Sequence, residues 1–146
     1  MRLPKLVIRI ANAATNLALL TGLPRPPYTR MNALIVETTG RWSGKRRRVP
    51  VGYLDDNGRI VVVVEDGLRA HWVRNSLARD GRLRVHFRGQ WRSAQLRVLD
   101  SDPESYLERM NRVHAAFVRS HASTPGVVEI VLESGAKEGA RPRASA

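Results

Sequence analysis

The stretch Arg47-Arg48-Val49-Pro50-Val51-Gly52-Tyr53-Leu54-Asp55-Asp56-Asn57-Gly58-Arg59-Ile60-Val61-Val62-Val63-Val64-Glu65 decides the fold class. Val49, Val51 and Tyr53 alternate, which predicts a strand over 47–54 with that face toward a core. Asp55-Asp56-Asn57-Gly58 is a hairpin signal, because Asn-Gly adopts the positive φ angles that a tight turn between twisted strands requires. The run Ile60-Val61-Val62-Val63-Val64 within 59–65 is continuous rather than alternating, which predicts a strand covered on both faces. Strands joined by so short a turn are antiparallel, since a parallel pair needs a long crossover. A doubly wound α/β fold is thereby disfavoured.

The same pattern continues outward. Ala33–Thr38 reads as a short strand. Arg82–Arg88 places Leu83, Val85 and Phe87 on one side and Arg84, His86 and Arg88 on the other, and Gly89-Gln90 turns it into a strand over Trp91–Leu99. Val127–Leu132 is a last strand. A helix over Arg69–Arg79 buries Trp72, Val73 and Leu77. A second helix begins at Asp102 as N-cap with Pro103 at its first position and runs to His121, with Tyr106, Leu107, Met110, Val113, Ala116 and Phe117 inward. Six antiparallel strands in so short a chain predict an α+β, mainly β protein: a closed or nearly closed barrel with helices packed outside.

Upstream, Leu3, Leu6, Val7, Ile10, Ala14, Leu17 and Leu20 form a helical stripe opposite Lys5, Arg9, Asn12 and Asn16. Arg9, Asn12 and Asn16 interrupt any signal-peptide core. Two readings stay open: a helix packed on the domain, or an interfacial membrane helix. Gly22 ends it, and Pro24, Pro26 and Pro27 keep the next stretch extended. The expected organisation is a helix and Pro-rich linker over 1–30, the barrel over 31–133, and a disordered tail over 134–146.

The 146 residues carry a formal charge of +12 and no cysteine, which excludes disulfides, thiolate metal sites and a thiol nucleophile. The four histidines show no metal-binding spacing. No apolar run is long enough to span a bilayer. Ten basic residues against one acid, Glu37, fall in residues 1–54. Nucleic acid, anionic lipid and an anionic cofactor therefore all enter as partners.

The densest part of that charge is Gly40-Arg41-Trp42-Ser43-Gly44-Lys45-Arg46-Arg47-Arg48-Val49-Pro50. Glycines that expose backbone N–H groups, a hydroxyl and guanidinium forks are the materials of a phosphate cradle. A merely solvated basic turn has the same composition. It is not a P-loop, since Gly-Lys-Ser/Thr is absent and a strand follows.

Thr38-Thr39-Gly40-Arg41-Trp42-Ser43-Gly44-Lys45-Arg46-Arg47-Arg48-Val49-Pro50 resembles the T-T-G-R-x-S-G-x-x-R-x-x-P signature of the deazaflavin-dependent nitroreductase family. The likeness continues through the Val-rich strand, Trp72-Val73-Arg74-Asn75 and the hairpin over 82–97. The sequence departs from the pattern at Trp42, Arg46, Glu65-Asp66-Gly67 and Val73. The resemblance implies a split β-barrel that binds coenzyme F420, a hydride carrier with a phosphate and an oligoglutamate tail. It places Arg41, Trp42, Ser43, Gly44, Lys45 and Arg47 at the phosphate and tail, and Val49 and Pro50 near the deazaflavin ring. It places Glu65 and Asp66 at the ring edge, with Trp72 and Asn75 at the pocket wall. No catalytic side chain is assigned; His71 is the nearest candidate proton donor. The substrate implied is a small conjugated molecule, a quinone, enone or nitroaromatic. Flavin mononucleotide or haem in the same fold, and a basic nucleic-acid module, are the alternatives. An aromatic content of 5% argues against base stacking in the last. A homodimer is expected by analogy. A cytoplasmic location is expected, with peripheral contact to the inner membrane face through residues 1–22 as an option.

Overall fold

The computed structural model describes residues 4–21 and 32–134. Helix α1 (Lys5–Thr21) precedes strands β1 (Ala33–Thr39), β2 (Arg46–Gly52), β3 (Leu54–Asp56) and β4 (Arg59–Val64). A 3-10 turn (Gly67–Arg69) leads into α2 (His71–Leu77), then β5 (Arg82–Phe87) and β6 (Gln90–Leu99). Helices α3 (Pro103–Leu107) and α4 (Arg112–His121) and strand β7 (Gly126–Leu132) follow. The strands form one antiparallel sheet in the order β2-β1-β5-β6-β7-β4-β3.

Seven strands stand where six are expected, because the stretch 47–54 is not one strand. Up to Gly52 it pairs with β1, Gly52 opposite Ala33. From Leu54 it pairs with β4, Leu54 opposite Val61. Thus β2 and β3 are consecutive in the chain yet form opposite edges of the sheet. The step at Gly52–Tyr53 joins those edges and curls the sheet into a half-barrel, with the Tyr53 N–H donating to the Asn32 carbonyl at 2.9 Å.

The Asn57-Gly58 turn has the expected positive φ angles, 52° and 87°, and the Asp55 carboxylate accepts from the Gly58 N–H at 2.8 Å. The β5–β6 turn is Arg88-Gly89 rather than Gly89-Gln90: both have positive φ, and Gln90 already pairs with Phe87.

The Val-rich strand is covered on both faces, as its composition predicts. Ile60, Val62 and Val64 join Leu34, Val36, Leu83, Val85, Ala94, Leu96, Val128 and Ile130 inside the half-barrel. Val61 and Val63 face outward and pack with Tyr106, Leu107, Ala115 and Val118 of the C-terminal helices and with Met110 between them.

Three helix expectations are corrected. The long helix is two helices. Asn111 caps α4, its side chain accepting from the Val113 N–H at 2.9 Å, and this restart resets the helical phase. His114, Ala115 and Val118 are buried, whereas Val113, Ala116 and Phe117 face solvent. In α2, Val73, Asn75 and Ser76 are buried, and Leu77 is 42% exposed. Helix α1 contacts β1 and β2. Its half-buried side includes Asn12, Thr15 and Asn16, whereas Leu6, Val7, Ile10, Leu17 and Leu20 are exposed. The apolar stripe is therefore not packed on the domain. Gly22, the linker prolines and residues 135–146 lie outside the described residues. No described helix is long and apolar enough to cross a membrane.

Candidate functional site

The β1–β2 loop is closed by its own backbone. The Gly40 N–H donates to the Lys45 carbonyl at 2.8 Å, and the Gly44 N–H to the Gly40 carbonyl at 2.9 Å. Gly44 has φ +67°, a conformation that favours glycine. The Lys45 N–H donates to Ser43 Oγ at 3.2 Å, which leaves the Ser43 hydroxyl proton to find an outside acceptor.

Helix α2 sets the position of Arg41. Asn75 is buried, and its Oδ1 accepts from both the Arg41 backbone N–H (3.2 Å) and Nη1 (2.8 Å). Its Nδ2 donates to Thr38 Oγ1 at 3.4 Å. Arg41 Nη2 lies 3.4 Å from His71 Nδ1, and the guanidinium stacks 4.0 Å from the Trp42 ring centroid. Asn75 thus spends its polar atoms on Arg41 and Thr38, fixing the loop to α2.

Strand alternation separates the next two arginines. Arg47 lines a cavity of about 480 Å³ with Arg41, Trp42, Ser43, Trp72 and Asn75. Arg48 takes the other face, where its Nε lies 2.8 Å from the buried carboxylate of Glu37. Arg84 reaches the second oxygen of Glu37 at 3.2 Å, and both guanidinium groups approach the Trp91 ring.

A second cavity, of about 650 Å³, shares Val49, His71 and Trp72 with the first. It continues over Pro50, Val51 and Val62 to Glu65, Asp66, Arg69, His114 and Ser123. Together they make one groove, basic at the loop, apolar in the middle and hydrogen-bonding at the far end. There the Ser123 hydroxyl donates to Asp66 at 2.8 Å, and the Ser123 N–H to the Glu65 carbonyl at 3.2 Å. Burial pushes the Glu65 carboxyl above its usual range, and the Asp66 charge adds to that. Burial holds the His114 imidazole below its usual value.

Ten of the twelve residues expected at the coenzyme line this groove. Gly44 and Lys45 do not; they shape the turn behind it. Glu65 and Asp66 border the far cavity and not the basic one, so they do not oppose an anion held at the loop. His114 and Ser123 are members that sequence reasoning missed. Among the described residues no cluster of three metal-type ligands occurs. The donor set suits a molecule with an anionic chain and a flat apolar ring: Arg41 held in place, Arg47 beside it, and the Val49, Pro50 and Trp72 walls adjoining.

A family model described as F420H(2)-dependent quinone reductase matches residues 21–134. No curated protein matches the sequence. Among solved structures, one described as an F420-H2 dependent reductase, FDR-A, is 25% identical over 68% of this chain and 92% of its own, with a TM-score of 0.47. A domain-swapped dimer is 22% identical over 82% of this chain and 94% of its own, at 0.50. HutZ, the heme storage protein from Vibrio cholerae, is 10% identical over 74% and 86%, at 0.53. Likeness at this level to the last two shows a shared fold only. The family match covers most of the sequence and the whole groove, and the chain belongs to the F420H(2)-dependent quinone reductase family, an F420-dependent oxidoreductase.

Proposed function

We propose that this enzyme reduces a small, flat, conjugated acceptor — a quinone, an enone or a nitroaromatic. The observation that carries the reading is the division of one groove into a basic end, an apolar middle and a hydrogen-bonding end. When bound, F420H2 supplies the hydride. The protein's part is to bind and orient, since hydride transfer depends on alignment more than on a nucleophile. Arg41, Ser43 and Arg47 would hold the phosphate and tail through charge-assisted hydrogen bonds, on a turn that the Lys45 backbone closes. Val49, Pro50 and Trp72 would wall the ring and exclude water. Glu65 and Asp66 would stand at its edge. Residues 31–133 would be the functional unit.

The test is a titration of purified protein with oxidised coenzyme, followed by deazaflavin fluorescence, and then turnover of the reduced form with menadione, cyclohexenone and a nitroimidazole. Quenching that saturates, with turnover of at least one acceptor class, is expected. Saturable quenching without turnover of any of the three would exclude the substrate reading.

A second reading concerns α1. Leu6 and Ile10 are 66% and 62% exposed on a helix whose charged residues, Lys5 and Arg9, are both basic. That stripe supports peripheral contact with an anionic membrane surface.

A further inference from the structure

We infer that His114 is the hydrogen-bond donor that holds the electron-accepting oxygen of the substrate. The inference rests on the proposed substrate reading and puts the acceptor at the far end of the groove, beyond the ring walls Val49, Pro50 and Trp72. The His114 residue is 6% exposed, on the face of α4 turned to the sheet, and it lines the groove. Among the described residues neither ring nitrogen has a hydrogen-bond partner. His114 lines the groove with neither nitrogen engaged by a described residue, so the imidazole is open to a molecule bound there. Asp66, which lines the same cavity, is already engaged by Ser123.

Chemistry selects the partner. A buried imidazole is neutral and carries one N–H donor and one acceptor nitrogen. An N–H donor in the lining of the groove suits a carbonyl or nitro oxygen, on which negative charge grows as the acceptor is reduced. Glu65, Asp66, Arg69 and His71 are the other titratable or charged groups that line this cavity.

Gly52 sets the ring's position. A Cβ built on Gly52 would lie 2.6 Å from His114 Nε2 and 2.9 Å from Nδ1. The imidazole rests against the glycine backbone, so any side chain at position 52 must push the ring away. Gly52 is the positioning residue and His114 the binding residue.

The test uses coenzyme-free protein and two probes of one shape: menadione, which has carbonyl oxygens, and 2-methylnaphthalene, which has none. Affinities are measured by calorimetry for the wild type, His114→Phe, His114→Gln, Gly52→Ala and the double variant Gly52→Ala/His114→Phe. His114→Phe should weaken menadione about tenfold, the loss of one hydrogen bond, and leave 2-methylnaphthalene within about twofold. His114→Gln, which keeps an N–H donor, should recover part of the loss. Gly52→Ala should resemble His114→Phe, and the double variant should be no worse than either. Equal weakening of both probes, or none, would overturn the inference. If His114→Phe fails to fold, the wild-type His114 ring signal decides by NMR: it must shift with menadione and stay with 2-methylnaphthalene, and a ring that responds to neither or to both is not the donor. A wild type that binds menadione without such selectivity overturns this inference alone. Failure to bind menadione at all overturns the substrate reading with it.

Discussion

Arg41, Arg47 and Arg48 carry the same charge within one loop and strand, yet their surroundings give them different work. Arg41 is held by Asn75 and borders the basic cavity with Arg47, whereas Arg48 pairs with buried Glu37 on the opposite face. Replacing Arg41 or Arg47 with Ala should cost about 1.5–3 kcal/mol of coenzyme binding, roughly 10- to 150-fold in affinity. Arg48→Ala should leave that affinity unchanged and destabilise the fold by about 1–2 kcal/mol, discounted for the half-exposed guanidinium, because among the described residues Glu37 then keeps Arg84 alone. Fluorescence titration and urea unfolding of the three variants separate these effects; equal loss of affinity in all three would reduce the site to a diffuse basic patch. From the sequence Arg48 passes for a surface charge, because nothing local reveals that Glu37 lies opposite it across the sheet. His114 makes a pH prediction. Its folded-state pKa is depressed below 6.5, so the unfolded chain takes up the proton first as the pH falls. Its contribution is intact above that value and is lost as the pH drops beneath it. Glu65 runs the other way: with its carboxyl raised, the contribution is present below 4.5 and lost as the pH rises through the folded value. His114 by itself should therefore lower the urea midpoint between about pH 7 and about pH 5.5, against any rise from Glu65, and His114→Gln should remove that part of the slope. An unchanged slope in the variant would remove His114 as its source.

Elements whose signals are local were legible; those set by a restart of phase were not. The Asn57-Gly58 turn, the alternation of β5 and the Gly-rich loop each announce themselves within a few residues, as does the twice-covered β4. The division of 47–56 into β2 and β3 was hidden, because each half pairs with a strand distant in the sheet and only Gly52 marks the step. The inward face of α4 was hidden in the same way. A continuous helix from Asp102 turns Val113 and Phe117 inward, but the cap at Asn111 starts a new helix and turns His114 in instead. Thus the basic end of the candidate site and Glu65 and Asp66 of its far end could be read from the sequence, whereas His114 and Ser123 could not. Asn111→Ala should remove the cap bond to the Val113 N–H and cost about 1 kcal/mol. Because α4 carries His114, menadione affinity should fall in that variant while coenzyme affinity, set at the loop, stays. Parallel loss of both would mean that the two ends of the groove move as one.

At the scale of the whole molecule, positive charge and exposed apolar surface meet on α1. The half-barrel buries its inner and outer cores without the apolar stripe of this helix, which leaves Leu6, Val7, Ile10, Leu17 and Leu20 facing outward. An apolar stripe that does not serve the core costs solubility unless it meets something apolar. Lys5 and Arg9, with no acid in the helix, are why the partner proposed for it is an anionic surface. Apolar contact and charge are separable. Replacing Leu6, Ile10 and Leu17 together with Ser keeps the charge and removes the stripe, and should lower co-sedimentation with vesicles of phosphatidylglycerol at least tenfold, since each buried apolar side chain is worth roughly 1 kcal/mol or more. Replacing Lys5 and Arg9 with Gln should weaken binding less, about 1 kcal/mol per charge at low salt, and should reduce its dependence on salt. Both variants should keep the wild-type unfolding midpoint within a few degrees, because every residue changed is exposed. Vesicle binding that survives loss of the apolar stripe but vanishes in salt would assign the attraction to the whole +12 charge of the chain and remove α1 as its seat.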